Sequence, residues 1–211
     1  CASLQGYRPV PFPRPVRAVV FDMDGLLIDT EKPVRAATLA AAAAVGRPME
    51  DAFYATVIGT PWPETWARLK VYFGGEETLR AFRREFETAI APLLTEVRLM
   101  TGVVEILDDL DRAGILPRFT HVVTRDDVTR GKPDPEPYLL AASRLGIEPA
   151  HCLALEDSHN GIRASHGAGM MAVMVPDLRP ATAEIRALCH HVATDLHAVR
   201  ALLAQAQGAA P

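Results

Sequence analysis

The chain predicts an α/β fold: a parallel sheet with helices on both faces, plus a small α-helical unit inserted after the first strand. Three observations carry this reading. From residue 101 onward, apolar runs of strand length alternate with segments of helical period. Between residues 31 and 98, apolar residues recur at helical spacing without an intervening strand pattern. Before both stands the run RAVVFDMDGLLIDTE at 17–31, an apolar strand that ends in acids. Residues 16–30 and 99–211 should therefore form one unit and residues 31–98 a second, with 1–15 as an extended Pro-rich tail.

The elements follow in order. Pro9, Pro11, Pro13 and Pro15 alternate, which forbids a helix and favours a polyproline-like lead-in, read as a disordered or surface-draped tail. It lacks the charged start and apolar core of a signal peptide. Residues 34–45, rich in alanine, read as a helix closed by Gly46 and Pro48. Leu79, Phe82, Phe86, Ile90 and Leu93 mark one face of another. Trp62 and Trp66 should pack inside this helical bundle, or line a substrate pocket. Next come a helix over 101–113 that buries Val103, Ile106, Leu107 and Leu110, and a strand over 120–124. Asp134 and Pro135 open a helix with Tyr138, Leu139, Ala142 and Leu145 inward and Gly146 at its end. A strand at 152–156, a helix to Gly167, a strand at 172–175 and helices over 182–189 and 196–204 complete the chain.

Composition excludes several classes. A net charge of −4 gives no electrostatic footprint for nucleic acid or an anionic membrane surface. No apolar run approaches the ~20 residues of a bilayer span. Cys1, Cys152 and Cys189 are unclustered, so neither a disulfide framework nor a zinc site is indicated. The cytoplasm is the default compartment, and a monomer or weak dimer is expected. His159, His190 and His191 lack ligand spacing and read as surface residues.

The chemistry concentrates at strand ends. Successive side chains on an extended chain alternate faces, so Asp22 and Asp24 point the same way. Two acids so close raise each other's pKa unless a cation lies between them. Gly131-Lys132-Pro133-Asp134-Pro135 introduces a helix further on, and Leu153-Ala154-Leu155-Glu156-Asp157-Ser158 is another apolar run ending in acids, with Asn160-Gly161 after it. In an open parallel sheet the active site lies at the strands' carboxyl ends, where Asp22, Thr124, Glu156 and Asp157 all fall.

These three segments, in this order, resemble the motifs of the haloacid dehalogenase superfamily, and the chain looks like its β-phosphoglucomutase and sugar-phosphatase subgroup. D-x-D-G-x-x-x-D-T resembles the first motif, G-K-P-D-P the third and E-D-S-x-x-G the fourth, spanning residues 16 to about 178. The resemblance implies a Rossmann-like core with a helical cap and a Mg²⁺-dependent phosphatase acting on a small phosphorylated metabolite of the sugar-phosphate kind. A phosphomutase is the alternative. It makes Asp22 the nucleophile, Asp24 the acid and base, and Lys132 the counter-charge. Mg²⁺ would be held by Asp22, the Asp24 backbone carbonyl, Glu156 and Asp157, with Ser158 and Asn160 orienting that shell. Gly25 and Thr124 would bind phosphate. An acid at position 24 favours phosphate esters over carbon–halogen or carbon–phosphorus bonds. Lys32, Arg35, Thr60, Arg68 and Lys70 are candidates to touch the substrate.

One departure from the family pattern stands out. Ile115 joins Leu116 directly where the superfamily carries a further strand and helix, about thirty residues by the usual size of such units. With them goes the second motif, whose Ser or Thr holds the phosphoryl group. Either residues are missing from this sequence, or the chain is deleted and acts by binding, or residues 119–124 fill the vacant slot beside 19–22 and bring Thr124 to Asp22.

Overall fold

A computed structural model of the chain describes residues 11–58, 62–112 and 119–207. The chain divides into two compact units, residues 1–22 with 101–211, and residues 23–100. Strand β1 (Ala18–Phe21) opens the first.

The second unit is helical. It begins with a tight turn in which Leu27 and Ile28 N–H both donate to Met23 O, and Ile28 forms an isolated bridge to Leu99. Helices α1 (Glu31–Ala44), α2 (Asp51–Val57), α3 (Trp62–Phe73) and α4 (Glu76–Leu94) follow. Its core gathers Ala41, Ala42, Tyr54, Leu69, Phe73, Leu79 and Phe82. Alanines on the inner face of α1 leave room for aromatic rings, and Phe73 stacks on Phe82 with centroids 4.5 Å apart. Trp66 packs half-buried against this core.

The first unit continues with α5 (Val103–Arg112), α6 (Glu136–Leu145), β2 (Cys152–Glu156), α7 (His159–Gly167), β3 (Met171–Met174), α8 (Ala183–Leu188), β4 (His191–Val192) and α9 (Leu196–Gln207). The sheet is parallel in the order β1-β2-β3-β4, with Val19 opposite Leu153 and Leu153 opposite Met171. One face places Ala18, Cys152, Ala154, Ala172 and Met174 against Tyr138, Ala142, Ile162, Ala164 and Ile185 of α6, α7 and α8. By alternation Leu153, Leu155, Met171 and Val173 point the other way, and they too are buried. Burial on both faces is why β2 and β3 read as continuous apolar runs.

The strand expected over 120–124 does not form. Instead Thr124 caps a short 3₁₀ turn at Arg125–Asp127, its N–H and Oγ1 both donating to Asp127 Oδ2 at 2.7 and 2.9 Å. Arg144 of α6 donates to Val122 O at 2.7 Å and to Asp127 Oδ1 at 2.6 Å. Backbone groups that a ladder would use are thus taken by side chains, and Phe119 at φ 45° interrupts an extended run. Among the described residues β1 pairs with β2 alone, so residues 119–124 do not fill a slot beside 19–22. The Ile115–Leu116 junction lies outside the described residues.

Smaller corrections follow. Leu139, expected inward, is exposed. The short β4 and the separate helices α2 and α3 are not distinguished by the sequence pattern. Residues 11–15 of the Pro-rich segment are docked: Phe12 is buried edge-on to His191, whose Nε2 lies 2.7 Å from Pro11 O. Among the described residues no helix is long and apolar enough to cross a membrane.

Candidate active site

Parallel pairing of β1 with β2 sets two acidic strand ends side by side. Asp22 follows β1 directly and its N–H donates to Leu155 O at 3.0 Å, which extends the ladder by one step. Glu156 is the last residue of β2 and Asp157 comes next. Carboxylate oxygens of Asp22, Glu156 and Asp157 all lie within 4.8 Å of one another.

Lys132 reaches this cluster from the loop ahead of α6. That loop is closed by Asp134 N–H on Gly131 O, while the Asp134 carboxylate accepts from Glu136 N–H at 3.0 Å in an Asx-type turn, one residue ahead of Pro135, which takes the N-cap position expected of Asp134. Lys132 Nζ donates to Asp22 Oδ1 at 2.6 Å and also to Glu156 Oε1. Burial alone would lower the Lys132 pKa, but the charges of Glu156 and Asp22 outweigh it and hold the ammonium above its ordinary value. Lys132 is therefore a fixed positive charge between two carboxylates.

Glu156 is fully buried, and each of its oxygens has a partner. Oε1 accepts from Lys132 and from the Tyr138 hydroxyl, while Oε2 accepts from Ser158 Oγ at 2.9 Å. Burial and the neighbouring Asp22 raise its pKa, and the Lys132 charge pulls it back. Ser158 Oγ also accepts from Gly161 N–H at 3.1 Å, so one hydroxyl both caps α7 and orients the carboxylate. Behind Glu156 stands Gly161, where a Cβ would lie 1.8 Å from the carboxylate carbon. Only glycine leaves that space.

Asp24 belongs to the second unit, where Thr30 Oγ1 donates to its Oδ1 at 2.9 Å. Gly25 takes φ 77° and its N–H donates to Ile28 O, so that donor serves the turn. Thr124 gives its single hydroxyl proton to Asp127. Asn160 Oδ1 lies 3.4 Å from Arg163 Nη1, on the first turn of α7. Of the residues considered for substrate contact, Lys32 pairs with Asp29, Arg35 with Asp51, Arg68 with Glu64 and Lys70 with Glu76. Thr60 lies outside the described residues.

The structure places Asp22, Lys132, Glu156 and Asp157 together, and adds three residues to which the sequence reading assigns no task at the site: Tyr138 and Gly161 against Glu156, and Thr30 on Asp24. Tyr138 reads as a core residue, yet a buried tyrosine requires a hydrogen-bond partner, and that is the signal it carries. Thr30 and Gly161 lie inside quoted motifs without an assigned task.

The donor set suits a hard divalent cation: three carboxylates, one fully buried, within a single ion's reach. Asp157 and Asp22 are the more open of the three.

Two family models, both described as haloacid dehalogenase-like hydrolase, match residues 19–117 and 106–169. A phosphorylated carbohydrates phosphatase of Thermotoga maritima is 30% identical over 178 residues, covering 74% of this chain and 82% of its own. Beta-phosphoglucomutase of Bacillus subtilis is 27% identical over 194 residues, covering 78% and 85%. The crystal structure of a HAD family hydrolase from Deinococcus radiodurans, with bound phosphate and sodium, superposes with a TM-score of 0.73 at 27% identity, covering 92% of this chain and 97% of its own. The chain belongs to the haloacid dehalogenase-like hydrolase family.

Proposed function

We propose that the protein is a Mg²⁺-dependent phosphatase that hydrolyses a small phosphorylated metabolite of the sugar-phosphate class through an aspartyl-phosphate on Asp22. The observation that carries this reading is the Asp22–Lys132–Glu156–Asp157 cluster, with Lys132 held between Asp22 and Glu156 and Asp157 beside them at adjacent strand ends. The phosphatase and phosphomutase names of its relatives support the substrate class.

An Asp22 oxygen attacks phosphorus, and the bond from phosphorus to the leaving oxygen breaks. Asp24, two residues along the chain, gives its proton to that oxygen. It then takes a proton from the water that attacks the aspartyl-phosphate, which restores Asp22 and frees inorganic phosphate. Thr30, by donating to one Asp24 oxygen, leaves the other to carry the proton. Lys132 neutralises charge on Asp22 and on a phosphoryl oxygen at once. Asp22, Glu156 and Asp157, with the Asp24 carbonyl, would hold Mg²⁺, whose charge offsets repulsion between the phosphoryl group and the nucleophile. The helical unit is the candidate for choosing the substrate.

Hydrolysis of a generic aryl phosphate with Mg²⁺ tests the reading against Asp22→Asn. Loss of the nucleophile should cost about a thousandfold or more in kcat, and a chelator should silence the wild type. Equal rates in the two proteins would exclude the aspartyl route. The beta-phosphoglucomutase likeness supports a second reading, transfer to a sugar instead of water. Labelled sugar phosphate separates the two by its product, free phosphate or the isomeric sugar phosphate.

A further inference from the structure

Tyr138 is buried on the inner face of α6, and three features of its surroundings go beyond core packing. Its hydroxyl donates to Glu156 Oε1, the same oxygen that accepts from Lys132 Nζ. Its ring lies beneath that ammonium, with Nζ 5.4 Å from the centroid. Glu156 cannot turn away, because Ser158 holds Oε2 and Gly161 closes the space behind the carboxylate. Lys132 is thereby supported from two sides, by a carboxylate oxygen that Tyr138 anchors and by the electron-rich face of the same residue. Its ammonium also donates to Asp22 Oδ1 at 2.6 Å.

We infer that Tyr138 is a positioning residue for the phosphoryl-transfer site, holding Lys132 on Asp22 through Glu156 and through its own ring. This rests on the reading of Asp22 as nucleophile. A lysine is a flexible point charge on four rotatable carbons, and its value to a transferring phosphoryl group depends on where it is held. A buried tyrosine that is merely packed would satisfy its hydroxyl on any carbonyl. This one satisfies it on the carboxylate that orients the lysine.

The test uses the full chain with Tyr138→Phe and Tyr138→Leu. Phenylalanine keeps the ring face and removes the hydroxyl; leucine removes both. The first readout needs neither metal nor substrate: trace acetylation of lysines by limiting acetic anhydride, followed by peptide mass spectrometry, with Lys32 and Lys70 as internal references. Lys132 should acetylate several-fold faster in Tyr138→Phe and faster still in Tyr138→Leu, while the reference lysines stay unchanged. The second is aryl phosphate hydrolysis with Mg²⁺. Tyr138→Phe should lose about tenfold in kcat, the scale of one hydrogen bond to a charged group, with KM changed little. Should Tyr138→Leu fail to fold by far-UV circular dichroism, Tyr138→Phe decides alone. Unchanged Lys132 acetylation in folded Tyr138→Phe overturns the inference, as does an unchanged kcat. If wild type and Asp22→Asn hydrolyse the phosphate equally, the catalytic reading fails separately, and the acetylation result still reports whether Tyr138 holds Lys132.

Discussion

Gly161 shows how narrowly the site is built at the scale of single residues. Its motif position is visible in the sequence, but its task depends on Glu156 turning its carboxylate back toward the first turn of α7. A methyl group there would overlap the carboxylate carbon, which is fully buried with both oxygens hydrogen-bonded. Gly161→Ala should therefore destabilise the fold by about 1–3 kcal/mol, the usual cost of overpacking. The displaced Glu156 should also loosen its hold on Lys132. A lowered melting temperature together with a fall in kcat is the expected result, and an unchanged melting temperature would mean the carboxylate moves freely. The same residues show what the sequence could reveal. Asp22, Lys132, Glu156 and Asp157 were legible because they fall in three motif segments in order, two of them apolar strands that end in acids. Tyr138 was hidden by its helical spacing, which is the spacing of a core residue whatever its hydroxyl does.

At the scale of elements, the segment 119–128 is where pattern and structure part. Its residues alternate in a way compatible with a strand, and β-propensity is a preference for a half-buried pleated surface that this chain does not offer them. Side-chain hydrogen bonds take its place. Arg144 chiefly, then Thr124 N–H and its hydroxyl, hold the Asp127 carboxyl well below the ordinary carboxylate range. In the unfolded chain Asp127 titrates near its usual value, about 3.9. Stability from this anchor is thus fully present above that value and is lost as pH falls through the lower, folded one. Asp127→Asn should lower the melting temperature at pH 7. The gap to wild type should narrow below about pH 4, where the unfolded Asp127 begins to take up its proton. Thermal melts of both proteins from pH 7 to pH 2.5 measure this; a gap that stays constant across the range would show that the carboxylate charge contributes nothing. Helices with strong caps were legible by contrast, as at α8, where Thr182 accepts from Ile185 N–H, and at α6, which ends on left-handed Gly146. The two-residue β4 is too short to leave a period.

Across the whole molecule, each of the two units gathers core clusters, among the described residues, from its own kind of sequence. The helical unit packs aromatic rings of α3 and α4 against the alanine face of α1, and the α/β unit packs small and aliphatic side chains on its sheet. The clusters share no residue, so a defect in one should act on that unit first. Phe73 is almost fully buried and stacked on Phe82, which makes it the sharpest probe of the helical core. Phe73→Ala should cost about 3–5 kcal/mol, a large part of the marginal stability of a unit this size. Hydrogen exchange followed by peptide mass spectrometry resolves where that loss falls. Amides of α1 and α4 should exchange orders of magnitude faster in the variant, while those of β1, β2 and β3 keep their wild-type protection. Acetylation of Lys132 should likewise stay at its wild-type rate, because Asp22, Glu156 and Tyr138 all belong to the α/β unit. Equal loss of protection in the sheet would show that the two cores open as one cooperative block, and that the chemistry at the strand ends depends on the helical unit for its stability.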